Sequence, residues 1–138
     1  PATMLPQLPN TCVTSIMQYI DNNVFNGNAD EGDYLLYYWQ TFHENIVTDG
    51  VDLDDIEPFV SHFFNLGKFS TFQSSINDGF VVMTDMWSQI SNSAHNILVL
   101  GYQPSDELIY MDPEKGRWFC AGEQLMAENY KLVVTGIK

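Results

Sequence analysis

The chain has 138 residues, of which 45% are hydrophobic and 14% aromatic, enough to bury roughly two thirds of its unfolded surface around one core. Five Lys and Arg against 18 Asp and Glu leave a formal net charge of -13, which disfavours nucleic acid and anionic membrane surfaces as partners. No apolar run approaches the ~20 residues needed to span a bilayer, and no basic-then-apolar leader is present, so we expect one acidic globular domain over 1–138 without membrane insertion.

The first stretch with a clear period is "PQLPNTCVTSIMQYI", residues 6 to 20. Apolar side chains at Val13, Met17, Ile20 and Val24 share one helical face, predicting a helix from Cys12 to about Phe25 with Asn10 or Thr11 as its cap. Cys12 falls in the first turn, where orphan backbone N–H groups and the positive dipole end favour a thiolate. A thiol there is either a reactive group or a small apolar filler. The other cysteine, Cys120, lies in "RWFCAG", which reads as core. Two cysteines without a CxxC pattern show neither a disulfide framework nor a metal knuckle, although a single disulfide stays open in an oxidising compartment.

"NGNADEGD" (26–33) reads as a loop. A second helix is expected from about Glu31 to Ile46, with the core-forming aromatics Tyr34, Tyr37, Tyr38, Trp39 and Phe42. "TDGVDLDD" (48–55) is a turn rich in capping aspartates. A third helix follows from about Asp54 to Phe64, stopped by Asn65-Leu66-Gly67. Beyond it, "KFSTFQ" (68–73), "GFVVMTDMW" (79–87), "HNILVLGYQ" (95–103), "ELIYMD" (107–112) and "YKLVVTGI" (130–137) read as strands. A short helix is expected near 122–128. Helices first and strands afterwards indicate an α+β domain with an antiparallel sheet packed on N-terminal helices.

Residues 95–112 carry the most specific expectation. If Tyr102 pairs with Glu107 across the turn at 103–106, Asp112 lies opposite Ile97 and His95 is its diagonal neighbour on the same face. A one-residue slip would separate the two. A thiol at a helix start plus an imidazole beside a carboxylate are the parts of thiol acyl transfer. The sulfur attacks a carbonyl carbon, the imidazole moves the proton, and the carboxylate orients the imidazole. Gln7, five residues before Cys12, is placed to offer an oxyanion donor beside the Cys12 N–H. Trp87 and the following loop (88–94) are expected to wall a substrate cleft. His43 and His62 read as structural, and the three histidines are too scattered to predict a metal site.

The order Gln-x4-Cys at a helix start, "HNILVLGY" opening a strand and "YMDP" closing the next resembles the papain-like cysteine peptidases. It is most similar to their bacterial bacteriocin-processing (C39-like) branch, and "SSINDGFVVMTDMW" resembles the strand leading to that family's histidine. Val13 stands where many members carry glycine. The resemblance implies a papain-like fold and a thiol protease acting on a peptide or protein substrate without a cofactor. It makes Cys12 the nucleophile, His95 the general base and acid, Asp112 the orienting carboxylate and Gln7 the oxyanion-hole side chain. A non-catalytic peptide-binding domain of the same fold and a thiol acyltransferase are the alternative readings. Oligomeric state, and a secreted or cell-envelope location after leader removal, stay open.

Overall fold

Helix α1 (Cys12–Tyr19) runs on as a π-helical turn over Ile20–Val24. Val13, Ile16, Met17, Tyr19 and Ile20 are buried, and so are Thr14 and Ser15. A helix enclosed on nearly all sides is a core helix rather than a surface one, and its first residue is thereby held in place. The computed structural model describes residues 10–88 and 93–138. The helix begins and ends where the apolar spacing predicts, but neither expected cap acts as one. Thr11 occupies the cap position at φ -103°, ψ 25° without a side-chain cap bond, because that backbone does not aim its oxygen at the first-turn amides. Asn10, at φ 62°, instead donates through Nδ2 to the carbonyls of Val47 and Thr48 at 2.9 and 3.2 Å.

Helix α2 (Glu31–Phe42) starts at Asp30, whose carboxylate accepts from the Gly32 amide at 2.8 Å. It ends four residues earlier than the sequence suggests, at a left-handed His43 (φ 61°). Asn45 then caps a new short helix, α3 (Ile46–Asp49), so local capping outweighs the continuing helical pattern. Within the aromatic stripe Tyr34 and Tyr38 are buried, whereas Trp39 is exposed. A 3-10 turn at Leu53–Asp55 leads into α4 (Ile56–Phe63), which buries Ile56, Phe59 and Val60. His62 stacks on Tyr37 at 4.0 Å between ring centres.

Two expectations fail just beyond α4. Asn65-Leu66-Gly67 does not terminate a helix; Phe64–Gly67 is strand β1. "KFSTFQ" is not a strand, because Thr71 and Ser74 form a reciprocal capping box that opens α5 (Phe72–Asn77), satisfying two orphan amides that a strand would leave to a distant partner. The remaining strands are β2 (Val81–Ser88), β3 (Ser93–Tyr102), β4 (Leu108–Asp112), β5 (Arg117–Ala121) and β6 (Met126–Ile137). All neighbours pair antiparallel in the order β1-β6-β2-β3-β4-β5. Strand β5 corrects the reading of "RWFCAG" as core: it is an edge strand with Arg117 and Trp118 exposed. The helix expected at 122–128 shrinks to one 3-10 turn, Glu123–Leu125, and β6 starts directly after it.

Both faces of the sheet are covered. Met83, Leu98, Met111, Leu132 and Val134 pack with α1, α2 and α4. Val82, Ile97, Val99 and Val133 pack on the other side with Phe72 of α5. Strand β3 therefore reads as the unbroken apolar run "ILVL", as a strand buried on two faces should. The polar residues His95 and Asn96 mark the end where the apolar run stops.

Candidate functional site

The hairpin of β3 and β4 reaches the expected register by a different route. Gln103 N donates to Glu107 O, and Asp106 takes a left-handed φ of 69°, so the loop is one residue longer than the sequence suggests. Near the turn Tyr102 pairs with Leu108 and Gly101 with Ile109, not Tyr102 with Glu107. A bulge between Val99 and Gly101 then shifts the register, and Val99 pairs with Tyr110 and Leu98 with Met111. Continued by one pair, this register sets Asp112 opposite Ile97. The left-handed Asp106 adds one residue and the bulge takes up another. The two deviations cancel.

Asp112 closes β4 with its backbone and side chain both engaged. Its carbonyl accepts from the amides of Lys115 and Gly116 at 3.2 and 2.8 Å, and its Oδ1 accepts from the Glu114 amide at 2.9 Å. Gly116 takes φ 71°, a conformation available to glycine at little cost. The carboxylate so held lies 2.7 Å from His95 Nε2, and both residues are buried. Burial alone would raise the Asp112 carboxyl, but the bond and charge of His95 together with the Glu114 amide and the Lys115 charge outweigh it, and the group sits below its usual range.

With Nε2 committed to Asp112, Nδ1 is the ring nitrogen left for other partners. Glu114 Oε1 is 3.4 Å from it, and the Cys12 thiol is within hydrogen-bonding reach of the ring. Burial pushes the imidazole's pKa down, but the bonds to Asp112 and Cys12 reverse this and raise it to about 9. Burial likewise pushes the Cys12 thiol up, and the hydrogen bonds from His95 and Asn96 more than compensate, leaving it below its ordinary value. The two shifts together favour a thiolate–imidazolium pair over its neutral counterpart.

Asn96, adjacent to His95 in sequence, also touches the sulfur: its Nδ2 donates to Cys12 Sγ at 3.1 Å. Its Oδ1 is hydrogen-bonded to the Tyr130 hydroxyl, which also lies 3.1 Å from the Thr84 carbonyl. The Thr84 hydroxyl in turn donates to the Tyr130 carbonyl at 2.9 Å. Burial, followed by the nearby Cys12 and Asp85, holds the Tyr130 phenol well above its ordinary range. Neither Asn96, Tyr130 nor Glu114 is marked by the sequence motifs. The available signal was a polar residue at position 96, at the end of an otherwise apolar buried strand.

Cys12, His95 and Asp112 are thus brought together. Trp87 is 58% exposed on β2 and pairs with Ala94, next to the Met86–His95 pair, so it borders the end of the sheet that carries the histidine. Gln7 lies outside the described residues. Both cysteines are free thiols, and Cys120 accepts from Gln103 Nε2 at 3.0 Å. His95, Asp112 and Glu114 could offer a metal ion three ligand atoms within 4.8 Å of one another. The hydrogen bonds among them and to Cys12 give these groups a proton-handling arrangement without one. Among the described residues, no helix is long and apolar enough to cross a membrane. In comparison with known proteins, no family model matches the chain, and no curated protein matches it significantly.

Proposed function

We propose that this chain is a thiol peptidase of papain-like type, most similar in motif order to the C39-like branch, that cleaves peptide bonds through an acyl-enzyme. The observation that carries the reading is His95, bonded to Asp112 at 2.7 Å while also in hydrogen-bonding reach of a thiol in the first turn of a helix. The Cys12 thiolate attacks the substrate carbonyl carbon to form a C–S bond. The imidazolium delivers its Nδ1 proton to the leaving amine as the C–N bond breaks. Water then attacks the thioester, giving a proton to the imidazole; the acid leaves and the ion pair is restored. Asp112 keeps Nε2 occupied and stabilises the imidazolium throughout. A net charge of -13 favours the approach of basic rather than acidic peptides.

Alkylation kinetics test this reading directly. At pH 6 iodoacetamide should modify Cys12 at least about tenfold faster than a small free thiol, whose thiolate is scarce there. Peptide cleavage should rise with Cys12 ionisation on the acid side and fall as His95 loses its proton near pH 9. An alkylation rate no higher than that of the free thiol sinks the proposal.

A further inference from the structure

The imidazolium is the charged partner of the thiolate, and a neutral amide also points at the sulfur. We propose that Asn96 is a catalytic residue of this site, its amide Nδ2 holding Cys12 as the thiolate, and that Tyr130 is the positioning residue that fixes the amide the right way round. The inference rests on the thiol peptidase reading and adds to it a residue to which the motifs assign no role.

A thiolate has only lone pairs, so the atom facing it at 3.1 Å must be the NH2 of Asn96. The Oδ1 on the other side then needs a donor, and the Tyr130 hydroxyl supplies one. If the amide were turned over, Oδ1 would face the sulfur and the sulfur would have to keep its proton. The Tyr130 proton would then go to the Thr84 carbonyl at 3.1 Å. Amide orientation and thiol ionisation are therefore one equilibrium, and the Tyr130 bond to Oδ1 biases it toward the ionised thiol. Tyr130 is itself held by the bond from the Thr84 hydroxyl to its carbonyl.

The surroundings explain why a neutral donor is useful here. The titratable groups about the sulfur are His95 on β3, backed by Asp112 and Glu114, and Tyr130 on β6, which in turn has Asp85 of β2 near it. Asp85 is buried opposite Asn96 in the ladder; its Oδ2 accepts from Asn129, and its Oδ1 has no partner among the described residues. A donor that carries no net charge stabilises the thiolate without adding a positive group to compete with His95 for Asp112.

The experiment is the pH profile of iodoacetamide alkylation, followed residue by residue by mass spectrometry so that Cys120 reports whether each variant stays folded. Asn96→Ala removes the donor without adding charge; Asn96→Asp keeps the shape but exchanges the donor for a negative charge. Each should shift the Cys12 midpoint upward by about one pH unit and slow its alkylation at pH 6 by about tenfold, the size expected for a hydrogen bond to a charged acceptor. Tyr130→Phe should shift it the same way by less, about threefold in rate. Cys120 alkylation should be unchanged in all three. A Cys12 midpoint unmoved in Asn96→Ala overturns the proposal for Asn96, and one unmoved in Tyr130→Phe overturns that for Tyr130, while an ordinary midpoint in the wild-type protein overturns the peptidase reading instead.

Discussion

The two cysteines of this chain sit in environments that differ in one decisive respect. Cys120 lies on the edge strand β5 and accepts a hydrogen bond from the neutral amide of Gln103. Cys12 also accepts from a neutral amide, that of Asn96, but there an imidazole with its own carboxylate joins it. Under the proposed function, what sets the one thiol apart as a nucleophile is the company of a cation and a proton carrier. An amide neighbour or partial burial does not suffice.

Three measurements can break or sharpen this contrast. The largest effect should come from exchanging the thiols themselves. Cys12→Ala should lower peptide hydrolysis by about 10³-fold or more, as loss of a nucleophile does, whereas Cys120→Ala should stay within about twofold. Equal losses would erase the distinction. Next, Asp112→Asn should reduce kcat by about 10²-fold or more, because the amide no longer stabilises the imidazolium. Labelling of Cys120 should not change in that variant, and a normal kcat would show that the carboxylate only shapes the turn.

The smallest effect concerns stability. Asp112 is held below its ordinary carboxyl value of 3.8 and His95 is raised from 6.5 to about 9. The Asp112 contribution is present above about 3.8 and is lost as the pH falls through its folded-state value. The His95 contribution is complete below 6.5 and is lost as the pH rises through about 9. Urea unfolding should therefore show this pair contributing most between about pH 4 and 6.5. It should lose on the order of 1–2 kcal/mol by pH 10, with a flatter alkaline decline in Asp112→Asn. A decline of the same steepness in that variant would remove the ion pair as its cause.

Much of the site could be read from order and spacing, yet not for the reasons first apparent. The sequence places His95 and Asp112 on one face by counting back from an assumed tight turn. In the folded chain a left-handed Asp106 lengthens the turn and a bulge between Val99 and Gly101 restores the count. Neither feature has a reliable sequence signal, since Asp tolerates several backbone regions and a bulge is set by the twist of paired strands. The same limit explains the errors near Gly67. Thr71 looks like a strand residue until its side chain and that of Ser74 are seen capping an amide each.

Read directly from the sequence are local features: the helix at Cys12 and its apolar face, strands β2, β3, β4 and β6, and the α+β class that follows from helices preceding strands. These depend on side-chain period and on groups a few residues apart, which the chain specifies directly. What only the tertiary structure decided is which distant groups meet. Asn96 against Cys12, Tyr130 against Asn96, and Glu114 beside the far nitrogen of His95 arise where separate strands and a helix end converge. Such contacts depend on register, twist and packing summed over the whole sheet, and no short stretch of sequence contains that sum.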